Sequence, residues 1–307
     1  MTKVNWMNPY EKKGKYWLKG NLHTHTNTSG CSDVTLEQVI DIYEKMKYDY
    51  LAITNHGLAQ KPDIKTKLIL LAGIEIDFTG NYHTCVTNLS TEKIVFYPGM
   101  KQQEIIDENI KNGGFVVLNH PDWQEEEHYS LTELLALNNY SGMEIYNTCI
   151  ERLYGSALST LKWDWLLGRH KKVLGVANQD SHKIGDHKDC CNIVNVNEKT
   201  PESIFNALQT GNYYCHYGVE IIDIGRTGDK IHVKTKNAKL IRFVGQYGLV
   251  LKKVKGPSAE IDFNEADKEC PEFFDYIRIE CLGEGEEISW SQPFFRDDLP
   301  KNPKYEY

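Results

Sequence analysis

Tyr50-Leu-Ala-Ile-Thr-Asn-His56 decides how this chain is read: an apolar, β-prone run halts on an imidazole. The device recurs. Leu68-Ile-Leu-Leu-Ala-Gly-Ile74 runs into Glu75, Phe115-Val-Val-Leu118 into Asn119-His120, and Val173-Leu-Gly-Val-Ala177 into Gln179-Asp-Ser-His182. Upstream, His23-Thr-His25 sits in Gly20-Asn-Leu-His-Thr-His-Thr26. Side chains alternate along an extended segment, so His-x-His aims two imidazoles the same way, and Asp180-Ser-His182 repeats the spacing.

Amphipathic stretches separate these runs from about residue 20 to about 215, the pattern of repeated βα units. Thr35-Leu-Glu-Gln38 reads as a capping box opening a helix whose inner face carries Leu36, Val39, Ile40, Tyr43 and Met46. Further helices are expected over Met100 to Lys111, Leu131 to Leu137, Ser156 to Leu167, and Pro201 to Gln209, the last with proline at its first position. In barrels built from βα units the site gathers at the carboxyl ends of the strands, so polar residues placed there repeatedly share one mouth. Beyond about Gly218 helical signals fade. Val219–Ile224, Lys230–Lys236, Leu240–Val244, Val250–Val254, Ser258–Phe263 and Phe274–Cys281 read as strands between Gly, Asp and Asn turns. The expected division is a barrel over 1–218 followed by a small antiparallel β-rich domain over 219–307.

The 307 residues carry a net charge of −8, which argues against extended nucleic acid as a partner while leaving room for a local anion pocket. No stretch reaches the ~20 apolar residues of a membrane span, and the N-terminal residues show no secretory core, so no membrane partner and a cytoplasmic location are expected. The eight cysteines are scattered without paired Cys-x-x-Cys spacing and read as reduced thiols. Cys31 and Cys85, close in sequence to candidate ligands, are read as packing or supporting thiols.

Nine residues then form a metal-donor set: His23, His25, Asp33, His56, Glu75, His83, His120, Asp180 and His182. Imidazole with carboxylate suits Zn, Fe or Mn, and a carboxylate can bridge two ions. Nine donors exceed what one ion needs, so two or three divalent ions are expected.

The motifs Leu22-His-Thr-His25 with Ser32-Asp33, Ala52-Ile-Thr-Asn-His56, Gly73-Ile-Glu75 followed by His83, Asn119-His-Pro121 and Gln179-Asp-Ser-His182 occur in an order that resembles the PHP superfamily, named for polymerase and histidinol phosphatase. The resemblance covers roughly residues 18 to 217 and implies an α/β fold, a distorted (β/α)7 barrel with up to three metal ions. It would put His23, His25, Glu75 and Asp180 around one ion, Glu75, His83 and His120 around a second, and Asp33, His56 and His182 around a third, with Glu75 bridging the first two. Two departures stand out. The loop Asn27-Thr-Ser-Gly-Cys31 lengthens the step from His25 to Asp33, and Asn55 stands where the family usually has aspartate, so the third site is expected to be weaker or to select another metal. Met143-Glu-Ile-Tyr-Asn147, Thr210-Gly-Asn-Tyr-Tyr-Cys215 and Trp290-Ser-Gln-Pro293 are similar to the two-domain, carbaryl-hydrolase-like branch.

The expected activity is hydrolysis of a small phosphomonoester or phosphodiester by a hydroxide bridging two ions, with Asp180, His182 and Glu75 in catalytic positions. Arg152, Lys183 and His187 are the candidates for contacting substrate. The same site could instead cleave a carboxylic ester, amide or carbamate. A third reading is a non-catalytic, metal-stabilised binding module.

Overall fold

A computed structural model describes residues 4–77, 82–123, 128–269 and 275–297. Nine strands make up the first part of the chain: β1 (Tyr16–Asn21), β2 (Tyr50–Ala52), β3 (Ile69–Ile76), β4 (Thr84–Asn88), β5 (Phe115–Leu118), β6 (Gly142–Asn147), β7 (Leu174–Asn178), β8 (Cys190–Val196) and β9 (Tyr213–Tyr217). Five helices cross between them: α1 (Leu36–Lys45), α2 (Gln102–Lys111), α3 (Leu131–Ala136), α4 (Thr160–Gly168) and α5 (Pro201–Thr210). Eight more strands and one helix follow: β10 (Ile221–Thr227), β11 (Lys230–Thr235), β12 (Leu240–Val244), β13 (Val250–Lys255), β14 (Ser258–Asp262), α6 (Phe263–Glu269), β15 (Tyr276–Leu282), β16 (Ile288–Trp290) and β17 (Phe294–Phe295).

The fold is mixed α/β around one large sheet. Its order is β13-β12-β15-β16-β9-β8-β1-β2-β3-β4-β5-β6-β7. Pairing is parallel at β1–β2, β2–β3, β5–β6 and β6–β7. It is antiparallel at β3–β4, β4–β5, β1–β8 and β8–β9. The run from β3 to β4 has no helix among the described residues, and strands joined that directly pair antiparallel. This pairing also corrects the expected end of β3: Glu75 opposes Cys85 and Ile76 opposes Thr84, so Glu75 lies within the strand rather than beyond it.

Among the described residues no ladder joins β7 to β1; the two strands meet at their carboxyl ends instead. There Asp180 donates its amide to the His23 carbonyl (3.0 Å), and His25 donates to the Ser181 carbonyl (3.1 Å). Asn21 and Asn178 complete the seam, accepting from the amides of Gln179 and Leu22.

Local signals explain the helices. Thr35 and Gln38 form the expected capping box, and α1 buries Val39, Ile40 and Tyr43. Thr200 caps α5 ahead of its N-terminal proline, and Gly211 closes it in the left-handed region (φ 75°). The sheet continues without interruption into the C-terminal strands through β9–β16, while β10-β11-β14 form a separate three-stranded sheet. Gln292 binds both backbone groups of Gly175 on β7 (2.8 and 2.9 Å). Among the described residues no helix is long and apolar enough to cross a membrane.

Candidate metal centre

The seam between β1 and β7 aligns the two one-residue spacings side by side, with Thr24 and Ser181 in a parallel bridge. His23, His25 and Asp180 therefore face one point, and Glu75 reaches it from β3. The Nε2 atoms of both histidines lie 3.1–3.2 Å from Glu75 Oε2 and from Asp180 Oδ1. Four donors held tetrahedrally at the usual Zn–N and Zn–O lengths would stand about 3.3 Å apart, so the spacing fits an ion. The same atoms lack other partners: His23 Nε2, both His25 nitrogens and Asp180 Oδ1 are buried without a hydrogen bond. Buried polar groups are otherwise nearly always satisfied, which marks this cluster as a ligand cage.

Glu75 turns its second oxygen the other way. Oε1 lies 3.2 Å from His83 Nδ1 and 3.5 Å from His120 Nε2, and Asn119 donates to it at 2.7 Å. His56 Nδ1 is 3.4 Å from Oε2, so His56, Glu75 and His83 also form a compact donor group. His25, Cys31, His56 and His182 form another, all their donor atoms within 4.8 Å of one another. Two of the residues carry unusual backbone, His120 at φ 28° and Asp180 at φ 52°, strain of the kind that persists where the surroundings fix a side chain for function.

The electrostatics follow from the crowding. Burial opposes charge on His23 and His25, but the carboxylates of Asp180 and Glu75 outweigh it and hold both well above the ordinary histidine value. Burial would likewise raise Glu75 and Asp180, and the histidines pull both below the ordinary carboxylate range. His56 is pushed up to about 9: burial works against its charge and Asp77 favours it. Without an ion the cage holds protons, and a divalent cation would displace them.

Of the nine expected donors, the structure brings eight together. Asp33 stays outside. Its side chain is exposed, and the Ser32-Asp33 segment meets the site through its backbone side: the Asp33 amide and the Ser32 hydroxyl both donate to the His182 carbonyl (3.3 and 2.8 Å). Cys31 stands beside His56 and His182 in its place, exposed rather than packed in the core. Asn55 does not face the cage; it clamps the loop, accepting from the Thr26 amide (2.8 Å) and donating to its hydroxyl (2.7 Å).

Arg152 and Lys183 line a cleft of about 240 Å³ over the centre, along with Trp123, Ile150 and Leu153. Arg152 spends its guanidinium on both oxygens of Asp186 (2.7 and 2.9 Å), and Asp186 in turn accepts the His182 and Lys183 amides (both 2.9 Å). His187 is not on the cleft: it packs on Tyr43 and donates Nδ1 to the Ile184 carbonyl.

No protein-family model matches the chain, and no curated protein matches it in sequence. Solved structures do. A two-domain protein from Bacteroides vulgatus containing a predicted PHP-like metal-dependent phosphoesterase is 14% identical, with TM-score 0.49 over 97% of this chain and 92% of that one. An amidohydrolase from Chromobacterium violaceum (14% identity, TM-score 0.38) covers 54% of this chain and 88% of its own. A lesion-specific endonuclease from Pyrococcus furiosus (15% identity, TM-score 0.46) covers 64% and 57%. At these identities and scores the likenesses fix neither reaction nor substrate.

Beside these donors stand residues that the sequence reading did not place at the site. Glu144 on β6 is buried and fully engaged, accepting from His23 Nδ1 (2.8 Å), the His120 amide (2.8 Å), Asn147 (2.8 Å) and Asn178 (2.9 Å). A lone acid inside the run Gly142–Asn147 was the available signal. Asp77 lies 3.0 Å from His56 Nδ1, and its position two residues after Glu75, just past the end of β3, is the signal that could have found it. His128 is buried against His83 and His120 with neither ring nitrogen hydrogen-bonded, and burial, aided by those two histidines, pushes it down to about 2.

Proposed function

We propose that this chain is a metal-dependent phosphoesterase acting on a small phosphomonoester or phosphodiester, with residues 1–218 as the catalytic unit and 219–307 as an accessory β-rich unit. The observation that carries the reading is Glu75, whose two oxygens face two imidazole groups, as a carboxylate shared by two divalent ions does. Such ions would supply Lewis-acid charge and an activated water, chemistry that serves phosphoryl transfer. His23, His25, Glu75 and Asp180 would hold one ion, and His83 and His120 with Glu75 a second. Glu144 fixes the His23 ring by accepting a hydrogen bond from its Nδ1–H, leaving Nε2 for the metal. The His182 Nδ1 donates to the Asp180 carbonyl (2.9 Å), which leaves its Nε2 free to face the cleft.

Lys183 gives the cleft its anion affinity: it is exposed and has no anionic partner among the described residues, whereas Arg152 is neutralised by Asp186. Lys183 would bind a non-bridging phosphate oxygen, and Trp123, Ile150 and Leu153 would exclude water from the leaving group. The cleft's small volume favours a small molecule over a duplex. The same apolar wall favours a second reading, hydrolysis of a carboxylic ester or carbamate.

Metal-stripped and metal-restored protein assayed on aryl phosphates, alkyl phosphates, aryl esters and carbamates separates the two. Phosphate release should require metal and fall by about 10²-fold or more in His120→Ala, the scale of losing one preorganised charge contact. Lys183→Ala should raise KM for phosphates. Metal-replete protein that cleaves esters and no phosphate would establish the second reading in place of the first.

A further inference from the structure

We propose that Cys31, with His25, His56 and His182, forms a sulfur-containing site for a soft divalent cation of the Zn or Fe(II) class at the open end of the centre. The proposal rests on the metal-hydrolase reading above and concerns which side chain and which metal complete it. The four donor atoms lie within 4.8 Å of one another. His25 is 0% exposed, and neither of its ring nitrogens has a hydrogen bond, so it belongs to the inner group through one side of the ring and meets the outer group at 4.2 and 4.6 Å from the His182 and His56 ring centres. His56 Nδ1 is buried without a hydrogen bond, 3.0 Å from Asp77 Oδ2.

The loop explains why sulfur arrives where a carboxylate was expected. Thr26 caps a single 3-10 turn over Asn27–Ser29, and Gly30 follows in the left-handed region (φ 74°), which turns the chain so that Cys31 faces the histidines. Ser29 Oγ sits 2.9 Å from Cys31 Sγ, a hydroxyl placed to support a thiolate. Asp33 is then carried past the site and left exposed.

The donor chemistry separates the two ends of the centre. The inner group combines two imidazoles with two carboxylates, a set that Mn, Fe and Zn all accept. Apart from His25, whose Nε2 is counted with the inner group, the outer group is two imidazoles and a thiolate, which favours Zn or Fe(II) and disfavours Mn. The protein should therefore bind one equivalent more of Zn than of Mn.

Metal-free full-length protein titrated with Co(II) tests this directly. The near-ultraviolet band of a sulfur-to-cobalt charge transfer should grow with one equivalent, and Cys31→Ser should lose both that band and that equivalent while keeping the others. Cys31→Asp should lose the band and gain an equivalent of Mn. Iodoacetamide labelling of Cys31, read by peptide mass, should slow at least tenfold when Zn is added. Full cobalt stoichiometry without the band, or a band that survives in Cys31→Ser, would overturn the proposal and leave the inner centre standing; a folded wild-type protein that binds no cobalt would overturn the metal-hydrolase reading itself.

Discussion

Glu144 shows how a residue outside the donor set governs it. Its carboxylate accepts a hydrogen bond from the His23 Nδ1–H and three further hydrogen bonds in a fully buried site, so the ring can present only Nε2 to an ion. Glu144→Gln keeps the shape but places an amide donor against donors, and metal affinity should fall by about 10–100-fold, read by competition with a chelating dye. The protonated histidines give a second residue-level expectation. Their raised values mean that in metal-free protein their stabilisation is complete below the ordinary histidine value of 6.5 and is lost as pH rises, through about 9 for His56. Glu75 and Asp180, held low, contribute above the ordinary carboxylate values and lose that contribution in acid. Metal-free protein should show its highest Tm between about pH 5 and 6.5 and a decline toward pH 9, and bound metal should flatten the alkaline side. A metal-free Tm that climbs from pH 6.5 to 9 would contradict the protonated cage.

At the level of elements, alternation and capping made much of the site legible. The one-residue spacing of His23 and His25, and of Asp180 and His182, was enough to place each pair on a common face, and the Thr35 capping box located α1. What alternation lacked was the end of β3, because only pairing with β4 carries the strand through Glu75. β1 depends on a close approach that the sequence does not show: Gly20 lies under the ring of Tyr50, whose hydroxyl is held by the Asn192 carbonyl at 2.8 Å. A methyl group there would enter the ring's contact distance, and the tethered ring cannot retreat. Gly20→Ala should cost about 1–3 kcal/mol by overpacking, measured by urea unfolding, and lower metal occupancy because His23 and His25 follow directly on β1. Unchanged stability would mean that the strand yields at this point.

Across the whole molecule, the C-terminal strands are tied to the first part of the chain by buried charge. Arg278 on β15, 2% exposed, binds both oxygens of Asp164 on α4 (2.7 Å each) and Glu280 (2.7 Å), and Tyr276 donates to Asp164 at 3.0 Å. Removing one partner of such a pair strands the other charge in a dry interior. Asp164→Ala should cost about 3–5 kcal/mol in chemical denaturation, and unfolding followed by signals from the two parts should remain coincident in the parent protein. A loss below about 1 kcal/mol would show that water reaches Arg278.

The sequence alone determined the donor types, their order and the facing of each pair, because strand alternation and helix capping act over a few residues. It determined the α/β character for the same reason. Only the tertiary structure decided which donors meet, since His23 and Asp180 are brought together by backbone bonds between the segments that follow β1 and β7, far apart in sequence. It also left Asp33 exposed outside the cluster and set Cys31 beside His56 and His182, through a turn at Gly30 and the Ser32 hydrogen bond to the His182 carbonyl. Spacing names the ligands; the seam of the sheet and the path of one loop assemble them.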